Sequence, residues 1–290
     1  MADLQVVTTK LEFRSLLAAR SSAADACGGA PIVGLVPTMG YLHEGHLSLV
    51  RRARAENDLV VMSIFVNPTQ FAAGEDLDRY PRDLACDLRL AREEGVDVVF
   101  HPEPREMYDP EHCTWVDVEG LTEHLCGASR PGHFRGVATV VTKLFGLCRP
   151  ERAYFGQKDA QQALLIRRMA SDLDLGVDVV VCPIVREPDG LAMSSRNVYL
   201  TAEERAQAPT LYRALREAEA AMAAGERDAA AVRATVMGVL AEAPHGKVDY
   251  VEVVSTAALQ PVDVIAGEVL VAVAVWFGAT RLIDNVVVKV

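Results

Sequence analysis

The sequence predicts an α/β protein: a Rossmann-like, doubly wound parallel sheet domain followed by a smaller C-terminal α+β domain. Over the first two-thirds of the 290 residues, short β-branched runs alternate with helical patterns. The strand candidates are nearly continuous in apolar residues, which is typical of strands buried on both faces of a parallel sheet. Beyond the segment 189–197 the order becomes helices first and strands afterwards, which favours a separate domain.

About five parallel strands are predicted for the first domain. The strand candidates are residues 31–38, 59–66, 96–100, 152–155 and 177–183. Helical patterns lie between them, for example at 45–56, 82–94, 136–147 and 159–173. In open α/β sheets, ligands bind beyond the carboxyl ends of the strands, so the residues that follow each strand are the first candidates for a site.

The second domain begins with a helical segment, rich in Ala, Glu and Arg, at residues 201–243. Strand candidates follow at 248–255, 269–277 and 283–290. The boundary is placed near Pro183–Val185, which gives domains of residues 1–184 and 185–290. A turn is predicted just inside the second domain, at Pro188-Asp189-Gly190.

Composition excludes several classes of function. The formal net charge of −11 argues against general nucleic-acid binding and against binding to anionic membranes, although a local basic site for an anionic substrate stays possible. No signal peptide is seen in the first residues, and the apolar run 269–277 is about half the length of a membrane span, so it is interpreted as a strand. We expect a cytoplasmic protein.

The cysteines contain no C-x-x-C pair, so neither a redox motif nor a zinc ribbon is indicated. Reduced, scattered thiols are typical of a cytoplasmic enzyme. The six cysteines are Cys27, Cys86, Cys113, Cys126, Cys148 and Cys182.

The segment PTMGYLHEGHLSLV at 37–50 joins the first predicted strand to a helix. It has the glycine frame of a Walker A loop, but His46 and Leu47 replace the Lys and the hydroxyl residue that the phosphate clamp requires. It is also one residue too short for the H-E-x-x-H motif of zinc proteases. What remains is a pair of imidazoles, His43 and His46, at the positive end of a helix, where donors can stabilise charge on phosphorus during nucleotidyl transfer. The alternative is that both histidines only cap the helix.

Two other segments carry groups suited to phosphate. YFGQKDAQQ at 154–162 places Lys158 after a strand, where it could bridge two anions, and Asp159 could accept bonds from a ribose. The equally open alternative is that Asp159 caps a helix. DGLAMSSRN at 189–197 offers two hydroxyls and Arg196 as a mobile polyphosphate clamp, or simply a solvated loop.

Polar side chains also occur in FVNPTQF at 65–71 and in RPGHFRG at 130–136. The first supplies Asn67 and Gln70 at a strand end. The second supplies Arg130, His133 and Arg135 ahead of a helix. Such positions suit a binding crevice, although each side chain could also be a cap.

Taken in order, these segments resemble the pantoate–β-alanine ligase family, which belongs to the H-x-G-H nucleotidyltransferases. The markers are PTMGYLHEGH, SIFVNPTQF, YPRDLACD, RPGHFRGVATVV, YFGQKDAQQ and VREPDGLAMSSRNVYL. A single H-x-G-H would not separate this family from its relatives, whereas six ordered segments do. The resemblance implies condensation of pantoate with β-alanine through a pantoyl adenylate, with ATP consumed, AMP and pyrophosphate released, and Mg²⁺ accompanying ATP. It also implies a homodimer, with nucleotide and pantoate bound by the domain of residues 1–184 and a lid formed by the domain of residues 185–290.

The resemblance further implies roles for individual residues. His46, with His43 beside it, and Lys158 would be catalytic, while Gln70 and Gln162 would hold pantoate and Gln70 would also meet β-alanine. Val185 would contact adenine through its backbone, and Asn67 and Arg130 are secondary candidates. The residues implied to contact ATP are Met39, Gly40, Tyr41, Leu42, His43, Glu44, Gly45, His46, Gly156, Gln157, Lys158, Asp159, Val185, Met193, Ser194, Ser195 and Arg196.

The chain departs from the family pattern at Tyr41, Asp83, Cys86 and Gln157, where a small residue, Thr, an acidic residue and Glu are common. Because of Cys86, the following Asp87 is not assigned as a metal ligand. Two rival interpretations remain. Another H-x-G-H adenylyltransferase would lack the two substrate glutamines and the helical second domain, and a catalytically dead nucleotide-binding module would have lost His46 or Lys158.

Overall fold

The structure, a computed structural model, describes residues 4–25, 29–72 and 74–290, with side chains undescribed at 23–25. The chain forms two compact units. The first comprises the residues up to Val118, Pro131–Gly156 and Leu165–Cys182, and the second comprises Glu119–Arg130, Gln157–Leu164 and Pro183–Val290. Two short segments that precede residue 184, Glu119–Arg130 and Gln157–Leu164, group with the second unit. The single domain boundary after residue 184 stays a prediction.

The first unit contains a parallel sheet of six strands in the order β1-β4-β3-β2-β5-β6. The strands are β1 (Gln5–Val7), β2 (Val33–Thr38), β3 (Leu59–Ile64), β4 (Val98–Phe100), β5 (Arg152–Gly156) and β6 (Asp178–Cys182). The predicted parallel sheet is therefore confirmed, but the expected number of strands is one too low because the sequence pattern does not reveal β1. From β2, strands β3 and β4 are added on one side of the sheet, and β5 and β6 are added on the other. The crevice between β2 and β5, where the strand order switches, is the position where such sheets bind ligands.

Helices pack on the sheet because its strands are apolar on both faces. The helices of the described residues are α1 (Lys10–Asp25), α2 (Glu44–Glu56), α3 (Leu84–Glu93), α4 (Pro104–Met107), α5 (Leu125–Ser129), α6 (His133–Cys148), α7 (Ala160–Asp172), α8 (Ala202–Gln207), α9 (Thr210–Ala223) and α10 (Ala229–Leu240). On one face, Val50 of α2 packs with Val36 and Met62. Elsewhere in this unit, Phe13 of α1 stacks on Phe100 with ring centroids 4.5 Å apart.

The second unit contains an antiparallel sheet in the order β7-β8-β9. Its strands are β7 (Gly246–Ser255), β8 (Glu268–Phe277) and β9 (Thr280–Lys289), as the three predicted runs indicated. Residues of α9 and α10 form one large apolar cluster with β8, including Leu215, Val232 and Val271. Ala160 and Leu164 of α7 pack in a separate cluster with Ala272. The Ala-rich segment is thus a helical layer, as predicted.

Two expectations from the composition concern the apolar run 269–277 and the cysteines. Among the described residues no helix combines the length and apolarity needed to cross a bilayer. The apolar run 269–277 is strand β8, as expected. Cys86, Cys113, Cys126, Cys148 and Cys182 are free thiols, and Cys27 lies outside the described residues.

Candidate active site

The two histidines of the H-x-G-H motif form the N-terminal cap of α2. His43 is the N-cap residue, and its Nδ1 accepts the backbone N–H of Gly45 at 3.1 Å. His46 Nδ1 accepts the backbone N–H of His43 at 3.3 Å, and the two ring centroids are 4.1 Å apart. An imidazole nitrogen that accepts an N–H carries no proton, so each neutral ring has its proton on Nε2. Capping, the alternative raised from the sequence, is therefore present, and it also sets both Nε2 atoms as donors.

The loop before this cap is held by Asp87, a residue that the sequence left unassigned. Asp87 is 2% exposed, and its carboxylate accepts the backbone N–H groups of Tyr41 at 2.9 Å and Leu42 at 2.7 Å. Burial raises the pKa of Asp87, and the two backbone hydrogen bonds oppose that shift. Gly40 and Tyr41 have φ of 80° and 53°, so the loop turns sharply at this point. Asp87 ends the YPRDLACD segment, but its contact with this loop could not be predicted because the two are distant along the chain.

Gln70 lies in a group that the fold assembles from three segments. Asn67, 1% exposed, donates from Nδ2 to Gln70 Oε1 at 3.1 Å and to the carbonyl of Gly136 at 3.2 Å. Gln70 Nε2 lies 3.2 Å from Met39 Sδ, and Nδ1 of His133 contacts the Gln70 carbonyl at 2.8 Å. Asn67 thereby orients the amide of Gln70. The structure brings the first motif, the FVNPTQF segment and His133 together.

The RPGHFRG segment is divided between the two units. Arg130 lies in the second unit, after α5, whereas His133 and Arg135 lie in the first. Arg135 is 3.3 Å from the carboxylate of Asp117, and its guanidinium is 5.0 Å from the centroid of the Trp115 ring. The structure thus gives Arg135 protein partners, and the sequence alone had not predicted them.

Lys158 lies in the second unit, on a 3₁₀ turn at Gln157–Asp159 that leads into α7. Its ammonium nitrogen is 3.6 Å from Asp159 Oδ2. The carbonyls of Gln157 and Lys158 accept hydrogen bonds from Nδ2 of Asn285, at 2.9 and 3.0 Å. Asn285 lies on β9 and belongs to no motif found in the sequence.

Two adjacent glutamines in the first turns of α7 have different environments. Gln161 is 6% exposed and donates to the carbonyls of Leu121 and His124, both at 2.9 Å. Gln162, the predicted pantoate ligand, is only half-buried. Gln161 is therefore a structural residue that fixes the chain before α5, and Gln162 is the better placed of the two to meet a ligand.

The predicted phosphate clamp begins as a short hairpin in the second unit. Met193 donates to the carbonyl of Val185 at 3.0 Å, and Gly190 donates to the carbonyl of Glu187 at 2.9 Å. This confirms the turn predicted at Pro188-Asp189-Gly190. Ser194 then caps a 3₁₀ helix, Ser195–Tyr199, by accepting the N–H of Arg196 at 3.2 Å.

The described residues contain no group of three His, Cys, Asp or Glu side chains placed to hold a metal ion. Both carboxylate oxygens of Asp87 already accept backbone N–H groups.

Comparison with known proteins identifies what the chain is similar to. The family profile described as pantoate-beta-alanine ligase matches residues 5–287. Pantothenate synthetase of Acetivibrio thermocellus is 60% identical over 259 residues, which are 89% of this chain and 92% of the relative. Pantothenate synthetase of Roseiflexus sp. is 56% identical over 286 residues, 99% of this chain and 100% of the relative.

Solved structures of pantothenate synthetases also resemble this chain. Pantothenate synthetase of Thermus thermophilus superposes with a TM-score of 0.90 and 48% identity, covering 97% of this chain and 98% of that one. Pantoate-beta-alanine ligase of Francisella tularensis, solved with "Beta-gamma ATP" and β-alanine, has a TM-score of 0.79 and 32% identity, covering 98% of this chain and 97% of that one.

Proposed function

Because the chain belongs to the pantoate–β-alanine ligase family, we propose that it joins pantoate to β-alanine in two steps through a bound pantoyl adenylate. It is an ATP-dependent ligase, and the proposal concerns how its residues perform the reaction. A carboxylate resists attack by an amine because its oxide is a poor leaving group. Transfer of AMP to the carboxylate supplies a better leaving group, and the amine of β-alanine then displaces AMP.

The geometry of His43 and His46 is the observation that best supports this proposal. In each neutral ring, Nδ1 accepts a hydrogen bond in the helix cap, so the proton is on Nε2. His43 and His46 can therefore donate from Nε2 to phosphate oxygens with no change of tautomer. The positive end of α2 adds to the same electrostatic effect. Preorganised donors of this kind stabilise the charge that grows on phosphate oxygens during nucleotidyl transfer.

The other assigned residues divide by substrate. Gln70 binds pantoate and β-alanine, with its amide oriented by Asn67. Gln162 binds pantoate, and Arg130 is a secondary candidate. Lys158 lies against the carboxylate and the α-phosphate.

The remaining residues of the Met39–His46 and Gly156–Asp159 segments contact ATP, with Val185 at adenine and Met193–Arg196 at the phosphates. The Francisella tularensis ligase, which was solved as a complex with an ATP compound and β-alanine, supports this choice of substrates. Mg²⁺ is proposed to arrive with ATP, held by phosphate oxygens and water, because the described residues offer no cluster of three ligands. The ion would neutralise phosphate charge.

Isotope exchange tests the two-step scheme. Adenylate formation requires ATP and pantoate only and is reversible while pyrophosphate is present. Labelled pyrophosphate should therefore enter ATP when pantoate is present and β-alanine is absent. His46→Ala and Arg196→Ala should suppress exchange and overall synthesis together, since both remove groups that face phosphates.

Exchange that requires β-alanine, or that proceeds without pantoate, would contradict the adenylate scheme. The nearest enzyme rival, an adenylyltransferase for another substrate, would show exchange only when that other substrate is added, with or without pantoate. A nucleotide-binding module without activity would show none.

We also propose that the ligase acts as a homodimer in the cytoplasm. The family resemblance supports the dimer, and the free thiols suit a reducing compartment. Light scattering coupled to size exclusion should give twice the mass of the 31.4 kDa chain, and a mass of one chain at assay concentration would reject the dimer.

A further inference from the structure

We infer that two neighbouring residues of β9, Asp284 and Asn285, are positioning residues that hold the two ATP-binding segments of the second unit, Gln157–Asp159 and Val185–Arg196. Each is 3% exposed, and neither is assigned a role by the motifs of the sequence. The inference rests on the role proposed above for Lys158.

Asn285 fixes the main chain at Lys158. Its Nδ2 donates to the carbonyls of Gln157 and Lys158 at 2.9 and 3.0 Å, and its Oδ1 lies 3.4 Å from Gln157 Nε2. A single buried amide thus fixes two successive peptide groups. Because Lys158 has a long, flexible side chain, the position of its backbone determines the region that its ammonium can reach.

Asp284 fixes the second segment. Its carboxylate accepts two bonds from Arg186, at 2.6 and 3.0 Å, which is the bidentate geometry that best orients a guanidinium. Arg186 also donates to the carbonyl of Gly190 at 3.0 Å and lies 3.9 Å from the centroid of the Tyr212 ring. The hairpin that leads to Ser194-Ser195-Arg196 is therefore held at Arg186.

Neighbouring residues of a strand point to opposite faces of the sheet, which explains how one strand serves both segments. Leu282 and Val286 share the face of Asp284 and belong to the apolar cluster with α9 and α10. Ala272, which pairs with Asn285 on β8, belongs to the cluster with Ala160 of α7. The backbone N–H of Asn285 also donates to Asp284 Oδ1 at 2.8 Å, so the two anchors are joined.

The test replaces the donor of Asn285 while keeping its shape. Asn285→Asp presents oxygens to both carbonyls and should release the Lys158 segment. Displacing a catalytic group by about 1 Å costs on the order of 100-fold in rate, so we expect a fall of this size in the rate of pyrophosphate exchange that persists at saturating ATP. Asn285→Ala, which also removes both donors but introduces no new charge, should act in the same direction.

Val286→Ala is the matched control. It removes buried methyl groups from the next residue of β9 and should lower the melting temperature without reducing the exchange rate by more than about threefold. Circular dichroism and melting temperature are measured for every variant. If the exchange rate of each variant merely follows its melting temperature, Asn285 is structural and the inference is wrong.

Asp284→Asn tests the other anchor. It weakens the pair with Arg186 and should raise the KM for ATP by about tenfold, from a lost charge-assisted bond, while saturating ATP restores most of the rate. An unchanged KM in a folded protein would reject the role of Asp284.

Lys158→Ala separates this inference from the proposed function. If Lys158→Ala keeps normal exchange, the role of Lys158 is wrong. If Lys158→Ala abolishes exchange while both Asn285 variants remain folded and fully active, only the role of Asn285 is wrong.

Discussion

At the scale of single residues, the amide of Gln70 offers the sharpest test of substrate assignment. Gln70→Ala should raise the KM for pantoate roughly 10- to 100-fold, since leaving a buried polar partner unmatched costs about 1–3 kcal/mol, and should change the KM for ATP much less. Gln207→Ala is the control, because Gln207 accepts the backbone N–H of His245 in the second unit and has no proposed ligand. Steady-state titration of each substrate provides the measurement. Equal losses for pantoate and ATP would make Gln70 structural.

Asp87 gives a prediction about pH. Burial raises its pKa in the folded state above the ordinary value of 3.8, so the folded protein binds this proton more tightly than the unfolded chain does. The contribution of Asp87 to the free energy of unfolding therefore falls as pH rises from about 3.8 through the raised pKa, and it is constant above that. Asp87→Asn lacks this contribution.

The unfolding free energy of the parent minus that of Asp87→Asn should thus decrease as pH rises through this window. Denaturant titrations at several pH values measure it. A difference that is constant with pH, or that moves in favour of the parent, would contradict the assigned direction of the shift.

At the scale of elements, the turn before α2 depends on Gly40. Its φ of 80° is strained for residues with a side chain, and a Cβ there would lie 2.8 Å from Asp87 Oδ2 and 3.0 Å from Ile64 Cγ2. Gly40→Ala should therefore lower the free energy of unfolding by more than the roughly 1–2 kcal/mol expected from the backbone alone.

Gly225→Ala supplies the comparison, because Gly225 has a φ of 105° and a Cβ added there would meet no atom of the described residues within 4 Å. Chemical denaturation of both variants separates the steric cost at Gly40 from the backbone cost. Equal losses would show that the contact with Asp87 relaxes at no cost.

The elements also show what a sequence can reveal. Buried strands such as β3 are predictable because every residue in β3 is apolar or small. Strand β1 escapes prediction because it has only three residues, and two of them are exposed. Helix α1 lies outside the predicted segments, although half of its residues are Ala, Leu or Phe and the buried Phe13 and Leu17 lie four residues apart on one face.

At the scale of the whole molecule, local motifs found the groups proposed to meet substrates, but only some of the residues that support them. His43, Lys158 and Ser194 lie in compact segments whose spacing carries the signal. Asp87 and Asn285 act on segments far away in the chain, 45 and 127 residues from Leu42 and Lys158, so only the folded structure reveals these contacts. Asn67, which orients Gln70 from within the same motif, could be found from the sequence, whereas contacts between distant segments could not.

The products released by the complete enzyme give the last prediction. In the two-step scheme, pyrophosphate leaves when pantoate is adenylated, whereas AMP leaves only when the amine attacks. With ATP and pantoate alone, the ligase should release a burst of about one pyrophosphate per active site and almost no AMP. Adding β-alanine should start steady release of both in equal amounts.

His46→Ala should lose the burst, whereas Lys247→Ala, which removes an exposed lysine of the second unit, should keep it. Rapid quenching followed by separate assays of pyrophosphate, AMP and ADP measures these outcomes. Steady AMP release without β-alanine would indicate a hydrolase, and ADP would indicate an acyl phosphate. A burst that requires pantoate and releases no AMP follows from the pantoyl adenylate, because an enzyme that carried AMP on its own side chain would release pyrophosphate without pantoate.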